Sequence, residues 1–302
     1  MSITKQFAAF VLAATTTTIL AESRCPGNVE SLPYHLLNRH QMVVAVSINH
    51  SGPYNFLLDT GTQMTMIDPA LARELHLASS GEAGVRSGGV NSTAMMAQVD
   101  AVEAGSHRVE GFKVLVFNLG IPQGQTRNLR GVLGEDFLER FDVLIDNAHS
   151  MVCLDETGRM NMEVKGRHVE LLRPAGKPGD GLAGPPVIVA KLSDGMRPVH
   201  LELDSGADMC LLYNTQAYMA VGVFRGASLQ GTGASGTVRT LTALPPQTMM
   251  IGSVAIERVP FITFQGGQSA VHSSDFDGLL SLGLFKRVFI NHAERFAVLE
   301  AW

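Results

Sequence analysis

Two short stretches of the chain carry residues able to do acid–base chemistry. Asp59-Thr60-Gly61 follows the apolar run Phe56-Leu57-Leu58, and Asp204-Ser205-Gly206 follows Leu201-Glu202-Leu203, 145 residues further on. An acid, a hydroxyl residue and a glycine at one place read as an ordinary turn, because turns favour all three types. Their return at a matching place in a second, similar half points to two carboxylates meeting across a pseudo-twofold axis. Like charges at short range do not ionise together comfortably, so such a pair holds one proton and offers a base and an acid side by side.

The flanking elements are repeated as well. Met42 to Ile48 alternates like a strand, Asn49 to Pro53 reads as a turn, and Tyr54 to Leu58 is a second strand ending at Asp59. Val187 to Leu192, the turn Ser193-Asp194-Gly195 and Val199 to Leu203 repeat that hairpin ahead of Asp204. Beyond the first acid, Asp68-Pro69 predicts an N-capped helix to about Leu77. Asn214 predicts an equivalent cap for a segment from Thr215 to about Val221.

Glycine-rich segments follow in both halves, with Gly88 and Gly89 in the first and Gly233 and Gly236 in the second. The second fits G-x-G-x-x-G, but strand-like residues come after it where a phosphate-binding motif opens a helix, so both are expected to be hairpin tips. The stretches Gly105 to Phe117 and Gly252 to Phe264 match in length and begin with Gly-Ser, and read as paired strands. Each half then closes with an apolar pair, Gly131-Val132-Leu133-Gly134 and Gly278-Leu279-Leu280-Ser281, followed by final strands to Leu154 and Leu299. Between the halves, Arg173 to Gly181 has the Pro/Gly composition of a linker.

Composition narrows the function classes. The chain has 302 residues, 45% hydrophobic and 17% charged, with a formal net charge of −5. That length supplies a substantial core, and that charge provides no basic stripe for nucleic acid. Residues 1–21 read as an export signal, with Lys5 ahead of an apolar run from Phe7 to Leu20. No later stretch is apolar enough to span a bilayer, so no stable membrane insertion is expected once the signal is removed. Three cysteines, Cys25, Cys153 and Cys210, allow at most one internal disulfide. Cys153 and Cys210 lie in apolar runs and are expected to be buried thiols. Scattered histidines without a His-x-x-x-His pair give no support to a metal site.

The paired Asp-Thr-Gly and Asp-Ser-Gly motifs, the glycine-tipped hairpins and the apolar-apolar-Gly elements resemble the aspartic proteases of the pepsin and retropepsin type over roughly residues 33 to 302. The resemblance implies a mainly β, two-lobed fold: two similar β-barrel-like lobes around a central cleft, at 33–160 and 183–302, joined by a linker at 161–182. It implies that Asp59 and Asp204 are catalytic, that Thr60, Gly61, Ser205 and Gly206 support their loops, and that Gly88, Gly89, Gly233 and Gly236 are candidate flap residues. It implies a peptide or protein substrate in extended conformation, with no metal or cofactor. Both lobes lie in one chain, so a monomer is expected, exported to a periplasmic or secreted location. The sequence treats the two acids alike and leaves open which is the base. Three departures stand out: no tyrosine lies in or beside the first glycine-rich segment, Ser281 takes the place of the glycine found at Gly134, and the cysteine pairing of many secreted pepsins is expected to be absent. A catalytically silent peptide-binding protein of the same fold is the alternative.

Overall fold

The computed structural model describes residues 24–37, 40–87, 90–119, 129–172, 184–192, 198–213, 226–232, 238–265 and 276–302. The expected export signal, the core of the expected linker, the turn expected at Ser193-Asp194-Gly195, the segment expected to be capped by Asn214 and all four candidate flap glycines lie outside the described residues.

The chain builds two sheets of similar plan and a third that joins them. In the first half, strand Gln41–Ile48 turns back through Asn49 and His50 into Ser51–Leu58. Both turn residues have left-handed backbone, with φ of 51° and 64°, which matches the twist of a two-residue hairpin. The turn is therefore tighter than the five residues expected, and the second strand begins at Ser51. The Asn49 side-chain oxygen accepts the Asp100 and Ala101 N–H groups at 2.7 and 3.2 Å, tying the turn to the neighbouring long strand Val90–Ala104.

The strand that delivers Asp59 pairs in parallel with Leu129–Leu133, so Phe56, Leu57 and Leu58 stand opposite Gly131, Val132 and Leu133. The second half repeats the crossing: Val199–Asp204 runs parallel to Gly278–Ser281, with Asp204 opposite Ser281. Phe56, Leu58, Leu201 and Leu203 are fully buried in one continuous core that spans both halves.

Asp68 caps helix Pro69–Glu74 by accepting the Leu71 N–H at 2.6 Å. The helix stops three residues short of the expected Leu77. His76 adopts φ of 53° and the Leu77 N–H reaches back to the Ala72 carbonyl at 3.0 Å, the left-handed stop that closes many helices. Gly105 and Gly252 each open a tight turn with φ of 59°. After Gly105 one strand, His107–Val116, continues, whereas after Gly252 the run divides into Val254–Val259 and Phe261–Phe264 around Pro260. Proline has no N–H to give the ladder.

The final strands are hairpins: Asp142–Asp146 with Met151–Asp155, and Phe285–Asn291 with Phe296–Ala301. They meet side by side, Val143 opposite Ile290 and Ile145 opposite Val288, in a six-stranded sheet to which both halves contribute. Within residues 161–182, strand Val169–Glu170 pairs onto the edge of that sheet. Cys153 also differs from expectation. It is bonded to Cys25, 128 residues away, pinning the N-terminal segment to the shared sheet, while Cys210 remains a buried free thiol.

Candidate active site

The two acids arrive at the ends of the paired strands and meet where the halves touch. Each carboxyl lies against the glycine of the other loop, close enough for the two acids to act on each other's ionisation. Each loop is folded around its own acid: the Gly61 N–H donates to Asp59 Oδ1 at 2.9 Å, and the Gly206 N–H to Asp204 Oδ1 at 2.8 Å. The glycines are required by the opposite acid. A Cβ on Gly61 would sit 2.8 Å from the Asp204 carboxyl carbon, and one on Gly206 would sit 2.5 Å from that of Asp59. Both are far inside van der Waals contact.

Thr60 and Ser205 lock the loops together. The Thr60 hydroxyl donates to the Leu203 carbonyl at 2.7 Å and accepts the Ser205 N–H at 3.1 Å. The Ser205 hydroxyl donates to the Leu58 carbonyl at 2.9 Å and accepts the Thr60 N–H at 3.0 Å. Each hydroxyl thus serves as donor and acceptor across the interface, and both residues are buried. Four buried bonds in a reciprocal ring fix the separation of the acids, since any opening leaves buried polar groups unpaired.

Further bonds hold the first loop from beneath. The Glu135 and Asp136 N–H groups, at the start of helix Glu135–Leu138, donate to the carbonyls of Thr62 and Gln63 at 2.8 and 3.1 Å. The Asp136 carboxylate accepts the Thr65 N–H at 2.9 Å and the Thr65 hydroxyl at 2.7 Å. Burial nevertheless pushes Asp136 up to about 7. In the second loop, Ser281 fills the place of Gly134 without strain: it is buried, and its hydroxyl donates to the Ala207 carbonyl at 2.7 Å. At Gly134 itself a Cβ would meet the Thr62 carbonyl oxygen at 2.7 Å, so glycine is required there and serine accepted here.

The local electrostatics separate the two acids. Burial raises both, and Asp204 well above the ordinary range, with the nearby Asp59 charge adding to the effect. The hydroxyl of Thr62 donates to Asp59 Oδ2 at 2.7 Å, which favours the anion. The matching residue in the second loop is Ala207, which offers only its N–H, at 2.9 Å to Asp204 Oδ1. A second buried acid, Glu202, lies two residues before Asp204. Thr62, Ala207 and Glu202 stand at the +3 and −2 positions around the acids, which is their one signal in the sequence. Gln41 also reaches the site, its side-chain N–H donating to the Gly206 carbonyl at 3.4 Å.

Residues 44–137 match the family model described as aspartyl protease. The fold is similar to that of the aspartic proteinase from Irpex lacteus, with a TM-score of 0.53 and 12% identity over 90% of this chain and 97% of that one. The family match lies in the first half of the chain, and the structural likeness shows a pepsin-like, mainly β fold. A search of curated proteins found no match.

Proposed function

We propose that the chain is an exported aspartic endopeptidase that hydrolyses peptide bonds of an extended peptide with a water held between Asp59 and Asp204. The observation that carries this reading is the meeting of the two carboxyls, each against the other loop's glycine, inside the reciprocal Thr60–Ser205 ring. One proton is shared by the pair, and the asymmetry of donors supports Asp204 as its carrier. Asp59, charged and supported by the Gly61 N–H and the Thr62 hydroxyl, takes a proton from the water. The resulting hydroxide adds to the scissile carbonyl carbon as Asp204 gives its proton to the carbonyl oxygen. The tetrahedral species then collapses: Asp59 passes its proton to the leaving nitrogen, the C–N bond breaks, and Asp204 recovers a proton from a hydroxyl of the diol. Protons balance over the cycle and the pair returns to its starting state.

A single chain brings both acids together, so a monomer completes the site. The Cys25–Cys153 disulfide supports export, because such bonds persist in oxidising compartments. Residues 1–21 are proposed as the leader. Activity is confined to acidic and mildly acidic pH, because the one-proton state disappears once both acids ionise.

The test is digestion of denatured casein from pH 3 to 7. Wild type is expected to cleave with an acidic maximum, and Asp59→Asn and Asp204→Asn each to lose about 10³-fold or more in rate. Wild type as inert as both variants would favour a peptide-binding protein; cleavage that survives both substitutions would remove the mechanism.

A further inference from the structure

The walls behind the two acids differ at one position. In an extended strand the residue two before an acid shares its face, so Leu57 goes with Asp59 and Glu202 with Asp204. Their neighbours in sequence, Phe56, Leu58, Leu201 and Leu203, fill the core on the other side. On the Asp59 side the face is apolar throughout: Leu57 stands in register with Val132, Val132 with Met66 and Met66 with Leu115, and half-buried Met64, Met96 and Phe117 pack beside them. On the Asp204 side the same row reads Glu202, Leu279, Leu211 and Ile262. Only the first member has changed in kind, from leucine to a carboxylic acid.

Glu202 is 6% exposed and has no hydrogen-bond or ion-pair partner among the described residues. An acid so buried normally finds a cation or a set of donors. The groups acting on it are Asp204, Asp59 and Glu135, all acids, and together with burial they hold its carboxyl well above the usual range. The phenol of Tyr213 lies within its field. No base is among the groups acting on it, and His200, on the same strand face, stands 3.5 Å from Asp277. Within the described surroundings, a positive charge for Glu202 has to come with the ligand.

We propose that Glu202 sets substrate preference: the peptide residue seated against the Asp204 half of the cleft is Lys or Arg, its cation paired with the Glu202 carboxylate, and the residue against the Asp59 half is apolar. This rests on the reading that the cleft holds an extended peptide, and it adds a sequence rule to it.

The experiment cleaves a degenerate peptide mixture with the full chain and sequences the products by mass spectrometry, beside Glu202→Leu and Glu202→Gln. Wild type is expected to enrich Lys and Arg at one position on one side of the cut bond and apolar residues on the other. For a matched pair of peptides with Lys or Leu at that position, Glu202→Leu should reduce the Lys-to-Leu ratio of kcat/KM on the order of 30-fold. It should retain cleavage of the Leu peptide, which also shows that it folds, and Glu202→Gln should fall between. A profile without basic preference, or a preference that Glu202→Leu leaves intact, overturns the proposal. If wild type cuts nothing, hydrolysis fails separately, and fluorescence anisotropy of the labelled Lys and Leu peptides decides the pocket. Tighter binding of the Lys peptide that Glu202→Leu abolishes supports it; equal binding overturns it.

Discussion

The loops that carry Asp59 and Asp204 share a backbone and differ in the side chains around it. Both acids accept the N–H of the glycine two residues on, and both loops contribute one hydroxyl to the interlobe ring. Around Asp59 stand a third hydroxyl, Thr62, an obligatory glycine at 134 and a carboxylate, Asp136, that holds Thr65. Around Asp204 the corresponding places hold Ala207, Ser281, Gly283 and Cys210, whose buried thiol is pushed up to about 12. Symmetry of the backbone brings the acids together, and the side chains around them are asymmetric. In the proposed mechanism the loop richer in donors stabilises the charge and the loop poorer in donors keeps the proton.

The largest structural effect is expected where the loops are alike. Thr60→Val removes a buried hydroxyl that serves the Leu203 carbonyl and the Ser205 N–H, and should cost about 3 kcal/mol of stability together with most activity. Ser205→Ala should behave the same way. Denaturant melts and casein cleavage measure both, and a marked difference between the two variants would break the equivalence of the loops.

Where the loops differ, paired substitutions should give unequal results. Gly134→Ala drives a Cβ against the Thr62 backbone and should cost about 2–3 kcal/mol. Ser281→Gly removes one hydrogen bond to Ala207 and should cost about 1 kcal/mol. Equal costs would mean that the second loop is packed like the first.

How much of this could be read from the sequence follows from which interactions are local. The acids, their hydroxyl and glycine neighbours, the hairpins before them and the Asp68 cap rest on short-range rules and stood in the motif itself. The parallel crossings of Phe56–Leu58 with Gly131–Leu133, and of Leu201–Asp204 with Gly278–Ser281, join segments more than seventy residues apart, and periodicity cannot pair distant strands. The shared sheet and the Cys25–Cys153 bond are of the same kind, since three cysteines do not specify which two meet. Glu202 escaped because an acid inside an apolar run reads as a strand residue until the opposite wall is known.

A smaller expected effect concerns stability against pH. Asp136 is raised to about 7 by burial and Asp142 to about 6 by burial and its partner strand's Asp155, and Glu202 is raised as well. For an acid raised in the folded state, stability is fully present below its unfolded value and is lost as pH rises through the folded one. Asp155, lowered by hydrogen bonds from Thr157 and Met160 against the effect of its burial, works in the opposite sense. The melting temperature should therefore be higher at pH 4 than at pH 7, and Glu202→Leu should narrow that difference. A melting temperature that rises toward neutrality would contradict the account of these buried acids.

The division of labour between the two acids is tested most directly by the pH profile of kcat/KM in two reciprocal variants. Thr62→Ala takes a donor from Asp59, raises its pKa and should move the acidic limb upward by about half a unit to one unit. Ala207→Ser offers Asp204 the hydroxyl it lacks, lowers its pKa and should move the alkaline limb downward by a similar amount. Movement of opposite limbs in these directions is the predicted result; both variants shifting the same limb, or neither shifting any, would contradict a base at Asp59 and an acid at Asp204.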